Sequence, residues 1–319
     1  ELDESSFLLS EVETKPQSSS PKPPFRTSTL QMAASSSLGF TADRTMNAAQ
    51  KLYEGGLITY LRTDGISIST SPNTGDPFSE ENPGPPPLQE IRNLITNKFG
   101  DSYLSEKVRV YKAKVQNSQE AHEAIRPTDI SKSPNEVSLG NDEERLYSLI
   151  WNRTVASQMV NSRYERKILT IDSHDNKYSF KASSRKNVFL GFETLTKEGE
   201  ETDFQFPENL VKGINLDLTS REAEQKFTTP PNRFSEASLI KRMEEEGIGR
   251  PSTYATIVKA LRTKKYTYGT KSIAPSDLGR ILTSYLKNVF EDFFIETKFT
   301  AKMESDLDEI ASGNKSWKS

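Results

Sequence analysis

The sequence predicts an α+β protein of several domains, with two largely helical regions on either side of a β-rich one. Its 319 residues exceed the usual size of a single domain. Apolar residues recur at helical spacing before about residue 160 and again after about residue 235. Residues 164–220 instead hold short alternating segments that are rich in β-branched and aromatic side chains.

The first helical region contains four predicted helices. Thr41 is a suitable N-cap for the second of them, and Gly39 and the pair Gly55-Gly56 are typical helix ends. A Pro-rich stretch over residues 71–87 is predicted to be a long exposed loop, and we assign it no function. The helices are predicted over residues 28–39, 41–55, 88–99 and 143–160.

The β-rich and second helical regions have clear turn and cap signals. Asp175-Asn176 predicts a hairpin turn, and Ser235 predicts the start of a helix. From there the order helix, short turn, helix, hairpin is that of a winged helix-turn-helix. Residues 221–280 carry 12 Lys or Arg against 7 Asp or Glu, a net charge of +5 in a chain of −3. This excess favours a DNA-binding surface, although an ordinary solvated helix pair has the same pattern.

The composition excludes several kinds of site. The absence of cysteine excludes disulfides, thiolate metal sites and cysteine nucleophiles, and two histidines argue against a His-rich metal site. A nucleophile must therefore be Ser, Thr, Tyr, Lys or a carboxylate. No apolar run is long enough to span a membrane. The N-terminus has no signal-peptide character and opens without methionine, so we expect a fragment or a processed product.

The segment LITYLRTDG, residues 57–65, contains the candidate nucleophile. As a strand it would place Ile58, Tyr60, Arg62 and Asp64 on one face. Residues two apart lie roughly 7 Å apart, so a phosphate fits between the Tyr60 hydroxyl and the Arg62 guanidinium. A phenol has a pKa of about 10 and needs such cationic help to attack at neutral pH. In the alternative interpretation, a Tyr and an Arg on a half-exposed strand only pack against neighbouring side chains and form ion pairs, without a catalytic role.

The segment NSQEAHEAIRPTD, residues 117–129, gathers Glu120, His122, Glu123 and Arg126 at spacings that predict a helix. A histidine beside carboxylates can stay protonated and hold a phosphate, or it can relay a proton. A helix laced with salt bridges is the alternative interpretation.

The segment GIGRPSTYA, residues 247–255, has the pattern of a helix start. Pro251 suits the first turn, and Ser252 and Thr253 add hydroxyl groups. Free backbone N–H groups at a helix N-terminus bind anions, and Arg250 directly precedes them. The segment is therefore a candidate phosphate site, with a plain helix cap as the alternative.

The stretches LYEGGLITYLRTDG, QEAHEAIRPTD and PPNRFSEASLIKRMEEEGIGRPSTYATIV closely resemble motifs of the type IA DNA topoisomerases, in their bacterial-type topoisomerase I form. PPFRTSTLQMAASSSLGFTADRTMNAAQ and FTAKMESDLDEIASGNKSW are similar to the family as well, so the resemblance covers most of residues 23–319. It implies a toroidal fold around a central hole. The implied domains are a β-rich arch split between residues 1–22 and 146–222, a mostly helical gate at 23–145, and part of a helical, winged-helix-like base at 223–319. Opening the hole requires hinges, which we expect near residues 20 and 146.

The resemblance also implies roles for single residues. Tyr60 attacks one DNA strand and becomes joined to the 5′-phosphate end, and Arg62 stabilises the charged phosphorus centre. His122 matches a histidine that helps to hold a phosphate near the cleavage site, and the phosphate-holding helix start is matched by Arg250, Ser252 and Thr253. Further DNA- or phosphate-binding positions of the family motifs are matched by Arg233, Glu120 and Arg126, and Glu123 lies in the same motif as Glu120.

The family binds Mg²⁺ through an acidic cluster in an N-terminal Toprim domain, which we expect to lie outside this chain. We therefore predict no metal ligand among these residues and no DNA relaxation by this chain alone. Asp306-Leu307-Asp308 resembles the acidic cluster only in spacing, and we interpret it as solvated surface.

The implied partner is DNA, mainly single-stranded at the cleavage site, and the protein is expected to be a monomer without membrane contact. The implied location is a bacterial cytoplasm or nucleoid, or an organelle such as a chloroplast or mitochondrion. Two other functions remain open at this stage: a topoisomerase III-like decatenase and a non-catalytic winged-helix DNA-binding protein.

Overall fold

The computed structural model describes residues 6–68, 86–111, 123–196, 205–290 and 295–318. The helices in these ranges are α1 (Thr27–Ala33), α2 (Ala42–Glu54), α3 (Pro86–Phe99), α4 (Asn141–Ala156), α5 (Glu193–Thr196), α6 (Glu236–Glu245), α7 (Tyr254–Thr263), α8 (Asp277–Phe290) and α9 (Thr297–Ala311). The strands are β1 (Phe7–Ser19), β2 (Ser162–Ser173), β3 (Ser179–Phe189), β4 (Asn215–Leu216), β5 (Thr267–Tyr268) and β6 (Ala274–Pro275). The mixture confirms the predicted α+β class. The Pro-rich loop falls mostly outside the described residues.

Helices α1 to α4 share one hydrophobic core. Leu30, Leu52, Ile95 and Ile150 come from the four helices in turn, and all four are fully buried. The local signals predicted three helix ends correctly: Thr41 caps α2 through its hydroxyl, Gly39 ends the turn after α1 with φ 70°, and α2 stops at Glu54 before the glycine pair.

Strands β3, β2, β1 and β4 form one antiparallel sheet in that order. The predicted hairpin turn is confirmed, with Asn176 in the left-handed region at φ 57°. The prediction of a β-rich region up to residue 220 is only partly correct. Beyond β3 the described chain contributes the short helix α5 and the two-residue strand β4, so few backbone groups of residues 205–220 join the ladder.

The sheet joins the two ends of the first helical region. The chain leaves β1 at Ser19 and returns to β2 at Ser162, and these two residues are direct cross-strand partners. The domain boundary expected between residues 145 and 146 falls inside α4, and the core of α1–α4 continues to Met159. A helix that is buried along its length cannot be divided between two independent domains. We therefore propose that the helical domain spans residues 20–161.

The winged-helix region forms a second, smaller core. Ile240 and Met243 of α6 pack with Tyr254 and Val258 of α7, and Ala42 at the start of α2 belongs to the same cluster. Ser235 caps α6 as predicted, and β5 and β6 form the predicted hairpin. Two helical regions that are far apart in sequence thus meet where α1 and α2 pack on α6 and α7.

Candidate functional site

Tyr60 lies in an irregular segment, so the predicted strand is wrong as a strand. Residues 57–65 make a single β-bridge, between Ile58 and Pro127. The Thr59 N–H donates to the Arg126 carbonyl at 2.9 Å, and the Thr59 hydroxyl donates to the Ala124 carbonyl at 2.7 Å. These bonds fix the backbone before Tyr60 to the segment at 124–128 rather than to a neighbouring strand.

The backbone after Tyr60 is fixed by Thr27, in the first turn of α1. The Thr27 hydroxyl donates to the Leu61 carbonyl at 2.8 Å and accepts the Thr63 N–H at 2.9 Å. Leu61 and Thr63 are buried, which turns Tyr60 and Arg62 outward on the same side. This confirms the predicted alternation for residues 60–63. Ile58 is buried instead of sharing that side, because its bridge to Pro127 turns it inward.

The Tyr60 side chain is half-exposed, with 43% of its surface accessible. Its ring packs edge-to-face against Tyr53, with ring centroids 5.5 Å apart and an interplanar angle of 68°. Arg62 is exposed and makes no ion pair with the described residues. A phenol and a guanidinium two residues apart in sequence are therefore both accessible at the surface.

The segment after residue 122 is extended rather than helical, so the predicted helix is wrong for its described part. Arg126 is 9% exposed and donates to the Glu123 carboxylate at 2.9 Å and to the Pro127 carbonyl at 2.8 Å. The Arg126 guanidinium thus bonds only to neighbouring residues of its own segment among the described residues, while the Arg126 carbonyl accepts the Thr59 N–H. Glu120 and His122 lie outside the described residues.

Arg250 sits in a turn that directly precedes α7. Its guanidinium donates to Asp308 at 2.6 Å and contacts Glu304 at 2.9 Å. Burial alone would lower the pKa of Arg250, but the hydrogen bond and charge of Asp308, with the charge of Glu304, raise it. Pro251 falls in this turn and not in α7, which begins at Tyr254.

Residues 306–308 lie at the surface as predicted, but their two carboxylates are ion-paired rather than only solvated. Asp308 holds Arg250, and Asp306 accepts from Lys315 at 2.7 Å, which lowers the Asp306 pKa. These acidic groups belong to ion pairs across the surface of α9. No group of three or more acidic or histidine side chains that could hold a metal occurs within the ranges given above.

Ser252 and Thr253 are exposed next to Arg250, and the Thr253 hydroxyl accepts the Arg250 N–H at 2.8 Å. Arg233 is also exposed, in the irregular stretch before α6, and it makes no hydrogen bond or ion pair with the described residues. Two polar groups thus flank the α7 start.

The first turn of α1 joins the Tyr60 segment to the α6–α7 region. Thr27 binds the backbone around Arg62, while its neighbours Arg26 and Ser28 both donate to Glu244 of α6, at 2.7 and 2.6 Å. Burial raises the pKa of Tyr254 to about 12. The negative charge of Glu244 also raises this pKa, whereas the positive charges of Arg250 and Arg26 lower it. The first turn of α1 therefore contacts both the Tyr60 segment and α6, the helix before the Arg250 turn.

Sequence reasoning missed three of these features: Thr27, the Glu244 contact and Tyr53. An aromatic residue at the end of a helix seven positions before the candidate nucleophile was a readable signal for Tyr53. The contacts of Thr27 and Glu244 join residues far apart in the sequence, and nothing local indicated them.

None of the described helices is long and apolar enough to cross a membrane. The family model described as DNA topoisomerase matches residues 1–319. "DNA topoisomerase 1" of Rickettsia bellii is 43% identical over 334 residues, which cover 100% of this chain and 40% of the relative. The same-named proteins of Zymomonas mobilis and Xylella fastidiosa are 41% and 39% identical, with 98% and 97% of this chain and 25% and 38% of those proteins covered.

The chain is also similar to the solved structure of full-length topoisomerase I from Thermotoga maritima. The TM-score is 0.82 at 35% identity, over 99% of this chain and 50% of that one. The chain thus spans about 40% of the Rickettsia relative and half of the solved structure. These agreements in sequence and fold confirm the resemblance, and the chain belongs to the type IA DNA topoisomerase family.

Proposed function

We propose that the whole protein is a type IA DNA topoisomerase that relaxes negatively supercoiled DNA and that Tyr60 is its nucleophile. The observation that carries the proposal is the outward pair of Tyr60 and Arg62 on a backbone anchored from both sides, in a chain of this family. An anchored backbone matters because catalysis requires the attacking oxygen to be held near its target.

The proposed reaction exchanges one phosphodiester for another. The Tyr60 oxygen bonds to phosphorus while the bond to the DNA 3′-oxygen breaks, and the proton lost by the phenol balances the proton gained by the 3′-hydroxyl. The protein then holds the 5′-phosphate end, the other strand passes, and the 3′-hydroxyl attacks to reseal the break. No bond energy needs to be supplied by ATP. Arg62 would stabilise the extra charge on the phosphate oxygens.

Further phosphate contacts are proposed at the start of α7. Ser252 and Thr253 offer exposed hydroxyl groups beside Arg250, whose guanidinium is held in place by Asp308 and Glu304. His122, Glu120 and Arg233 are proposed as DNA contacts from the family motifs. For Arg126 we propose an indirect role, since its guanidinium is internal and its carbonyl accepts from Thr59.

Mg²⁺ would require a cluster of carboxylate ligands. The acidic side chains in the described ranges form no such cluster, so those residues do not fit the ion and we derive no step through it. We propose that the Mg²⁺ ligands lie in the part of the protein that the longer relatives have in addition, as in a Toprim domain. Joined to that part, the chain is expected to relax DNA, and alone it is not.

We further propose that the partner is DNA that is single-stranded where it is cleaved, and that the enzyme acts as a monomer. Backbone contacts predict an affinity that falls as the salt concentration rises. The relatives are bacterial, so we propose that the protein works in a bacterial cytoplasm or nucleoid. An organelle of bacterial descent is the alternative location.

The deciding experiment uses the full-length protein with Mg²⁺ and a single-stranded oligonucleotide labelled at its 3′ end. Attachment to the 5′-phosphate carries this label onto the protein, whereas a 5′ label leaves on a free fragment. Tyr60→Phe should abolish the labelled adduct, because it removes the attacking oxygen. Tyr285→Phe, which alters an exposed tyrosine on α8, should retain it. An adduct that persists in Tyr60→Phe would refute the assignment.

Two alternatives give different results. A topoisomerase III-like enzyme would use the same nucleophile but decatenate DNA faster than it relaxes supercoils, so paired assays on the two substrates distinguish them. The α6–α7 pair with its β5–β6 hairpin favours DNA contact by this region. A purely DNA-binding protein of this kind would give a duplex footprint that is unaffected by Tyr60→Phe and would form no adduct.

A further inference from the structure

We propose that Tyr53 is a positioning residue that orients the Tyr60 ring for attack on DNA; this rests on the proposed function. The two rings meet edge-to-face with centroids 5.5 Å apart. Both side chains are exposed to a similar degree, 40% for Tyr53 and 43% for Tyr60. The pair therefore lies at the accessible surface that a DNA strand would reach.

The reason for such a residue is that the backbone bonds do not fix a side chain. Hydrogen bonds hold the main chain at Thr59, Leu61 and Thr63, on both sides of Tyr60. The Tyr60 side chain beyond its Cα is half-exposed, and an exposed side chain can change between staggered rotamers. A neighbouring ring restricts that choice, and edge-to-face packing is among the arrangements that aromatic pairs prefer.

The fold presents Tyr53 to Tyr60 from a rigid support. Tyr53 lies in the last turn of α2, next to Leu52, which is fully buried in the core. The chain then reverses at Gly56, whose φ of 69° would strain most other residues, and Leu57 returns its N–H to the Leu52 carbonyl at 2.9 Å. This tight reversal brings residue 60 back beside residue 53.

The Tyr53 hydroxyl makes no hydrogen bond with the described residues, so the ring alone provides the contact. Removing the ring in Tyr53→Ala should leave Tyr60 with more rotamers and slow cleavage about two- to tenfold, the range expected for the loss of one aromatic pair. Tyr53→Phe keeps the ring and should cleave at the wild-type rate. Since Tyr53 is half-exposed, its truncation should not unfold the protein.

The test measures single-turnover adduct formation by the full-length protein with Mg²⁺ at saturating 3′-labelled oligonucleotide, and separately its affinity by fluorescence anisotropy. The matched control is Asn47→Ala, an exposed position two turns earlier on α2. The expected result is a lower rate with unchanged affinity in Tyr53→Ala, and normal values in Tyr53→Phe and the control.

Three results would overturn the proposal: a wild-type rate in Tyr53→Ala, a rate in Tyr53→Phe as low as in Tyr53→Ala, or a loss of affinity with an unchanged rate. The last would mean that Tyr53 contacts DNA rather than Tyr60. Failure of the proposed function is distinct, because then Tyr60→Phe would still form the adduct or the wild type would form none.

Discussion

Replacing Thr27 by valine should loosen the backbone on both sides of Arg62. The Thr27 side chain is fully buried, and its hydroxyl donates to the Leu61 carbonyl at 2.8 Å and accepts the Thr63 N–H at 2.9 Å. The variant loses both hydrogen bonds: the loss of the donated one costs about 1 kcal/mol, and the Thr63 N–H left buried without this acceptor costs about 1–3 kcal/mol. The local opening free energy should therefore fall by about 2–4 kcal/mol.

Hydrogen–deuterium exchange of a peptide covering residues 57–65 measures this change directly. Each 1.4 kcal/mol corresponds to a factor of ten, so the Thr63 amide should exchange about 30-fold faster or more. Adduct formation by Tyr60 should slow as well, because its backbone is held less closely.

Thr45→Val is the matched control. Thr45 is equally buried and its hydroxyl donates to the Thr41 carbonyl at 2.9 Å, but that carbonyl also accepts the Thr45 N–H at 2.9 Å. Removing this hydroxyl leaves no backbone group unpaired, and exchange at residues 57–65 should not change. Equal exchange in the two variants would refute the role assigned to Thr27.

Three further perturbations test the supporting structure. Glu244→Ala removes the carboxylate that accepts hydrogen bonds from Arg26 and Ser28, so it should lower the free energy of separating α1 from α6 by about 1–3 kcal/mol. Faster amide exchange in α1 would show this change. The neighbouring exposed Glu245→Ala should leave the exchange unchanged. Gly191→Ala should destabilise the protein by about 2–4 kcal/mol in thermal melts, because its Cβ would lie 2.5 Å from a backbone oxygen at φ 52°, whereas Gly39→Ala, at φ 70° in open space, should lose only about 1 kcal/mol. The hydrogen bond from the Ser173 hydroxyl lowers the pKa of Asp175 from 3.8 to about 2. The ionised Asp175 therefore stabilises the β2–β3 hairpin fully above about pH 4, and this contribution is lost as the pH falls through about 2. Amide exchange in the hairpin, measured as a function of pH, can follow the loss.

The parts of the fold that the sequence predicted are those specified by neighbouring residues. Thr41 and Ser235 cap helices because their hydroxyls reach N–H groups three residues along, and Asn176 adopts the left-handed turn that its residue type favours. Such signals lie within a few residues of each other. They are readable without knowing which distant segments come together.

The parts that failed depend on distant partners. LITYLRTDG alternates like a strand, but its backbone bonds go to residues 124–128 and to the Thr27 side chain, and neither is visible in the local pattern. Arg250 and Asp308 are 58 residues apart, so the charged helix α9 looked solvated. For the candidate site, the sequence indicated Tyr60 and Arg62, and it could not indicate what orients them.

The hinge expected near residues 20 and 146 stays a prediction. Because residue 146 lies inside α4, we now place its second position near Ser162, where the chain re-enters the sheet. The helical domain leaves and re-enters the sheet at Ser19 and Ser162, which lie side by side, so both covalent connections are at one place. The domain also meets α6 and α7, partly through polar contacts such as Arg26 with Glu244 and Lys259 with Asp43 at 3.0 Å. Ion pairs at an accessible interface contribute little each and weaken with salt. A rotation about the adjacent connections that separates the α1–α2 pair from the α6–α7 pair would break these ion pairs and also the apolar contact of Ala42 with Ile240 and Tyr254. We therefore expect a rise in salt concentration to weaken only the polar part of this interface.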